Sequence, residues 1–162
     1  MRVSGSLLYV RLKSGGFRTI EKWWVEHPAL KDPTGAIGVV RCADHGGRVW
    51  VELDTTIGRL TLHEHYQWDG ASLPYVLRWA MSRALLRASL PHDGGYQLGR
   101  GGHFPVELED EWRERFDVVL RDVGVAQGMF RWWAASVFIA VRRFAAFAFA
   151  RQPEVEDVEL QA

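Results

Sequence analysis

The 162-residue chain is long enough for one well-packed domain and short for two, since domains cluster at roughly 100–150 residues. Its 20 basic and 20 acidic residues cancel, which removes any global electrostatic case for a nucleic-acid partner. The one cysteine, Cys42, excludes an intrachain disulfide framework and a cysteine-based zinc site, and the segment Met1–Gly5 has none of the apolar core of a signal peptide, so a cytoplasmic product is expected.

From Leu7 to Leu62 apolar and polar residues alternate with period two. This predicts strands over Leu7–Leu12, Phe17–Glu26, Ile37–Arg41, Val49–Leu53 and Arg59–Tyr66. Ser14-Gly15-Gly16, His45-Gly46-Gly47 and Asp54-Thr55-Thr56-Ile57-Gly58 supply the turns between them, and His27–Gly35, with Pro28 and Pro33, reads as a loop. An antiparallel sheet is therefore expected over about residues 1–67.

The second half changes to helical period. Ser72 can cap a helix with Pro74 in its first turn and an apolar face of Leu73, Leu77, Ala80, Met81, Ala84 and Ala88. Ser89-Leu90-Pro91 reads as a second cap-and-proline start, with a stop at Gly99-Arg100-Gly101-Gly102 and with His92 and Tyr96 on one face. After Pro105 a third helix opens on Glu107, Glu109, Asp110 and Glu111, which suit the positive end of its dipole. It buries Trp112, Phe116, Val119, Leu120 and Val123, with Gly124 as the expected stop. A fourth helix, Ala126–Ala150, is apolar almost all round but interrupted by Arg131, Arg142 and Arg143, so its uncharged stretch Trp132–Val141 falls short of the ~20 residues of a bilayer span. The expected fold is α+β, with the sheet followed by a bundle of about three to four helices over about 72–150. Residues 1–150 form the single domain. The segment 151–162 carries Glu154, Glu156, Asp157 and Glu159 and is an acidic tail, disordered unless basic faces bearing Arg83, Arg87, Arg142 or Arg143, or a neighbouring chain, hold it.

Four motifs recur in order: Asp69, Ala71, Ser72 and Pro74; then His92, Asp93 and Tyr96; then Phe116 through Gly124-Val125; then Ala140-Val141-Arg142 with Phe144. Over about residues 50–147 this resembles an uncharacterised domain family of tailed phages and prophages with a TDxASxP … HDxLY … AVRxF pattern. The resemblance implies a phage-type protein found in the host cytoplasm or associated with the virion. The chain departs from the pattern at Arg113, where the family has an aspartate, and at Gly95, where a bulky residue is expected. Glu109, Asp110 or Asp117 could supply the missing carboxylate.

His92, with Asp93 or Asp69 as its orienting carboxylate and Tyr96 positioning water or substrate, is the candidate catalytic set. Ser72 and Trp68 are the neighbouring binding contacts. Such a set fits a hydrolase of an envelope component, lipid or peptide. The same residues equally fit a buried network in which Asp69 and Ser72 cap a helix and His92 is hydrogen-bonded inside the fold. His63 and His65, two apart on a predicted strand, would place both imidazoles on one face. They could bind a divalent metal there, with Asp69 or His92 as a third ligand, or simply face solvent. Adjacent Trp23 and Trp24 must point to opposite faces of a strand. Trp132 and Trp133 lie on the fourth helix as core residues, as a membrane-surface contact, or as the interface of a virion or assembly protein with other protein chains.

Overall fold

In the computed structural model, residues 1–5, 7–13, 16–44, 46–68 and 83–144 are described. The fold is α+β. Eight strands come first: β1 (Arg2–Val3), β2 (Tyr9–Arg11), β3 (Phe17–Thr19), β4 (Trp23–Glu26), β5 (Val39–Ala43), β6 (Val49–Asp54), β7 (Arg59–Leu62) and β8 (Gln67–Trp68). Three helices follow: α1 (Arg83–Arg100), α2 (Glu109–Ala126) and α3 (Arg131–Phe144).

The strands form two antiparallel sheets rather than the one expected: a five-stranded sheet of order β1-β4-β7-β6-β5, and a three-stranded sheet of order β2-β3-β8. The predicted strand Phe17–Glu26 divides between the two. The predicted strand Arg59–Tyr66 stops at Leu62, because His63–Tyr66 is a turn closed by the Tyr66 N–H on the His63 carbonyl at 3.2 Å. Within that turn His65 takes a positive φ of 66°, which no strand allows.

Register explains the buried face. Trp23 and Val51 both stand opposite Leu62, while Val25 and Leu53 stand opposite Leu60, so six large apolar side chains share one side of the larger sheet. All six are buried, each contributing ~1.5–3 kcal/mol relative to exposure. On the other side Arg59 lies over the Trp24 ring at 4.8 Å and pairs with Glu26, so the second tryptophan of the pair is covered by a cation rather than bare. In the smaller sheet Tyr9, Phe17 and Trp68 meet with ring centroids 5.4–5.9 Å apart.

Glycines let α1 approach both its neighbours. A Cβ on Gly94 would stand 2.7 Å from Leu62 Cδ2, and one on Gly95 would stand 2.2 Å from the Phe116 ring. Any side chain at either position would hold the helix away from the sheet or from α2. The missing side chain at Gly95 is therefore the feature that lets α1 sit on α2.

Two sequence expectations are corrected here. Pro91 does not start a helix; it lies inside α1, which runs unbroken from Arg83 to Arg100 with the Ser89 hydroxyl donating to the Leu86 carbonyl at 2.9 Å. The proline costs a helical hydrogen bond, and burial of Leu85, Ala88, Leu90, Tyr96 and Leu98 on either side of it outweighs that loss. Gly124 does not stop α2 either. The helix continues to Ala126 and ends before Gly128 at φ 97°, while Gly124 makes room for Met129 and Ala88. The stop at Gly101-Gly102, the acidic first turn of α2 and its buried stripe are as expected.

The predicted loop after His27 contains a 3-10 turn, Pro28–Leu30, pinned to α2. His27 Nδ1 accepts from the Ala29 N–H at 3.1 Å, which leaves Nε2–H to donate to Asp122, also at 3.1 Å. Arg115 on α2 donates to the Ala29 and Lys31 carbonyls at 3.3 and 2.6 Å. Both sheets and all three helices contribute to one hydrophobic core. No described helix is long and apolar enough to cross a membrane. The helix start at Ser72, Asp69 and the acidic tail lie outside the described residues.

Candidate functional site

Helical spacing puts His92 and Tyr96 on the same side of α1, one turn apart, with ring centroids 4.0 Å from each other. The close approach at Gly95 brings α2 against that side, and the residue presented there is Asp117, fully buried. Its Oδ1 accepts from His92 Nε2–H at 3.0 Å and from the Tyr96 hydroxyl at 2.9 Å. The other ring nitrogen, Nδ1, faces Asp93 Oδ1 at 3.2 Å. From α3, Arg142 Nη1 stands 3.7 Å from Asp117 Oδ2, and among the described residues neither atom has a hydrogen-bond partner. The cluster thus joins all three helices through one carboxylate.

Its electrostatics follow from that geometry. Burial alone pushes His92 toward the neutral form, but the hydrogen bonds and charges of Asp117 and Asp93 outweigh burial and raise its pKa to about 9. The imidazole is then a cation held between two carboxylates. Tyr96 is pushed well above its ordinary range, first by burial and then by the charge of Asp117, so it stays a neutral donor. With Arg142 included, two positive groups face two negative ones, which is what keeps charged groups tolerable inside a protein.

Arg113 on α2 has a task of its own. Its guanidinium donates to the Arg142 carbonyl at 3.1 Å and to Asp110 at 2.6 Å, so it caps a carbonyl in the last turn of α3. Arg142 also reaches Asp110 at 3.4 Å and Glu114 at 3.6 Å. The end of α3 is thereby tied to α2 at several points.

Of the sequence-predicted residues, His92, Asp93 and Tyr96 come together. Asp69 and Ser72 lie outside the described residues, and the carboxylate between His92 and Tyr96 is Asp117, one of the three weighed as substitutes. His92 is only 6% exposed, and both its ring nitrogens are engaged. Such a ring has no free lone pair with which to take a proton from water. Trp68, expected as a binding contact, is instead a core residue between the rings of Tyr9, Phe17 and Tyr66. Trp133 is half-buried against the core, whereas Trp132 stands largely exposed beside it with ring centroids 5.9 Å apart.

The geometry expected of a metal site at His63 and His65 is corrected. Both residues lie beyond the end of β7 on the turn that carries the positive φ of His65, so the strand alternation that would align two imidazoles does not operate. Among the described residues no group of three His, Cys, Asp or Glu side chains is arranged to hold a metal. Sequence reasoning missed the His27–Asp122 link altogether. The His-Pro pair after a strand signals a turn cap, but nothing in the sequence points that ring at α2. Comparison with family models, with curated proteins and with solved structures finds no match.

Proposed function

We propose that this chain is a phage-type assembly protein that works by binding further copies of itself, with the polar cluster holding its contact helix in place. The observation that carries the reading is the outer face of α3. Ala134 and Val137 are buried on the inner side, yet Phe130, Trp132 and Ile139 are 74%, 69% and 52% exposed. Trp132 and Ile139 are two turns apart on one face with only Ala135 and Ser136 between them, so they make a patch rather than scattered apolar residues. Trp is also the residue type that most often anchors interfaces.

Charge suggests the occupant. Arg131 and Arg143 flank the patch, and no acidic residue occurs between Asp122 and Glu154. Two α3 faces meeting antiparallel would set Arg131 against Arg143. A complementary surface exists elsewhere on the chain, where Val106, 67% exposed, is followed in sequence by Glu107 and Glu109. Contact of unlike patches is head-to-tail and builds rings or open arrays, as an assembly protein requires. A place in the virion or in the host cytoplasm fits this role. The hydrolase reading has less support, because His92 is already saturated by its own carboxylates.

Light scattering on the full chain tests the proposal. Mass should rise with protein concentration, fall as salt is added, and stay at the monomer value for Phe130→Ser combined with Trp132→Ser. A wild-type chain that remains monomeric at high concentration and low salt contradicts it. If that monomer binds anionic vesicles through Trp132, the α3 face is a membrane-surface contact instead.

A further inference from the structure

We propose that the end of the larger sheet where β4 and β6 begin and β7 finishes is a binding site for a single phosphoryl group, carried by a phosphate monoester. A cavity of about 350 Å³ opens there, lined by Lys22, Arg48, Val49, His63 and Glu64. Lys22 directly precedes β4, Arg48 precedes β6 and His63 follows β7, so antiparallel pairing of three neighbouring strands is what gathers these residues. The volume exceeds that of a bare phosphate and admits a small organic substituent.

The chemistry of the lining selects the ligand. Among the described residues neither Lys22 nor Arg48 has a carboxylate partner; the Arg48 side chain donates from Nη2 to the Glu64 carbonyl at 3.3 Å, which leaves the rest of its guanidinium fork facing the cavity without a described partner. An ammonium beside a guanidinium is the combination that recognises phosphate oxygens. His63 also lines the cavity, and its ring nitrogen Nε2 is buried with no hydrogen-bond partner among the described residues, which is uncommon for a polar atom. The backbone of His63 is fixed on both sides, its N–H donating to the Trp50 carbonyl at 2.9 Å and its carbonyl accepting from the Thr19 hydroxyl at 2.8 Å. Glu64 supplies one negative group at the same cavity. Two cations against one carboxylate leave the lining a single net positive charge, which suits a monoester rather than a polyphosphate or a nucleic-acid backbone.

The surroundings of His63 agree. Burial and then the charge of Lys22 push its pKa below the ordinary value, with Arg41 acting the same way and Glu52 opposing them. A dianion at the cavity would reverse that balance.

The test is a titration of the full chain with phenyl phosphate and, separately, inorganic phosphate at constant ionic strength, following the His63 ring signals by NMR. Saturation in the millimolar range, with the His63 pKa rising on binding, is expected, together with roughly tenfold weaker binding in Lys22→Ala and again in Arg48→Ala. A parallel arm with phosphatidylcholine vesicles containing phosphatidic acid distinguishes the source: binding to these that needs both cations assigns a lipid headgroup, and binding to phenyl phosphate alone assigns a soluble ester. No saturable shift with any of the three probes overturns the proposal. So does a shift that persists undiminished in the folded Lys22→Ala, Arg48→Ala double variant.

Discussion

Asp117 carries two hydrogen bonds on one oxygen and faces an arginine with the other, and the consequences of that arrangement are visible in pH. His92 has a raised folded pKa, so its contribution is fully present below the unfolded value of about 6.5 and is lost as pH rises through about 9. The amount at stake is on the order of 3 kcal/mol. His27 behaves oppositely. Burial depresses its pKa and outweighs the opposing pull of Asp122, so its contribution is present above about 6.5 and is lost as pH falls through the lower folded value. Chemical denaturation across pH should therefore show stability falling on both sides of neutrality. His92→Gln should flatten the alkaline limb and His27→Gln the acid one; limbs unchanged in these variants would contradict the assignments. Half of this cluster was legible in the sequence. His92 and Tyr96 share a helix, and spacing alone aligns them. Asp117 was legible only as one of three carboxylates, since the choice among Glu109, Asp110 and Asp117 depends on how α2 is rotated against α1, which no local pattern encodes.

At the scale of elements, the docking of α1 on α2 turns on Gly95. Alanine raises intrinsic helix stability by ~1 kcal/mol, yet here its Cβ would overlap the Phe116 ring, and overpacking of this kind costs ~1–3 kcal/mol. Gly95→Ala should thus lower the denaturation midpoint, and a rise would mean that the helices do not approach so closely. The elements themselves were largely readable, because strands and helices carry different periods. Their limits were less so. The strand at Arg59 looked continuous through Tyr66 because Leu60, Leu62, Glu64 and Tyr66 keep the alternation, while the turn that ends it is closed by backbone bonds to Thr19 and within His63–Tyr66. Pro91 misled in the other direction: local propensity marks a helix start, and tertiary burial around it overrides that mark.

For the whole molecule, the arrangement is a sheet-backed platform on which α1 fixes α2 and α2 fixes α3. The inner side of α3 is tied down by Arg142, by the Arg113 cap and by Ala134 and Val137; its outer side is left apolar and basic. That division of labour was open in the sequence, where the fourth helix is apolar on nearly every side and only packing decides which tryptophan is spent on the core. It depends on the buried histidine being a structural cation rather than a catalytic base. The most direct measurement is the ¹⁵N NMR titration of the His92 ring in the intact chain. Both ring nitrogens should be protonated at neutral pH, with a titration midpoint near 9. A midpoint at or below about 6.5, with one ring nitrogen free of its proton at neutral pH, would contradict this and return His92 to the role of a general base.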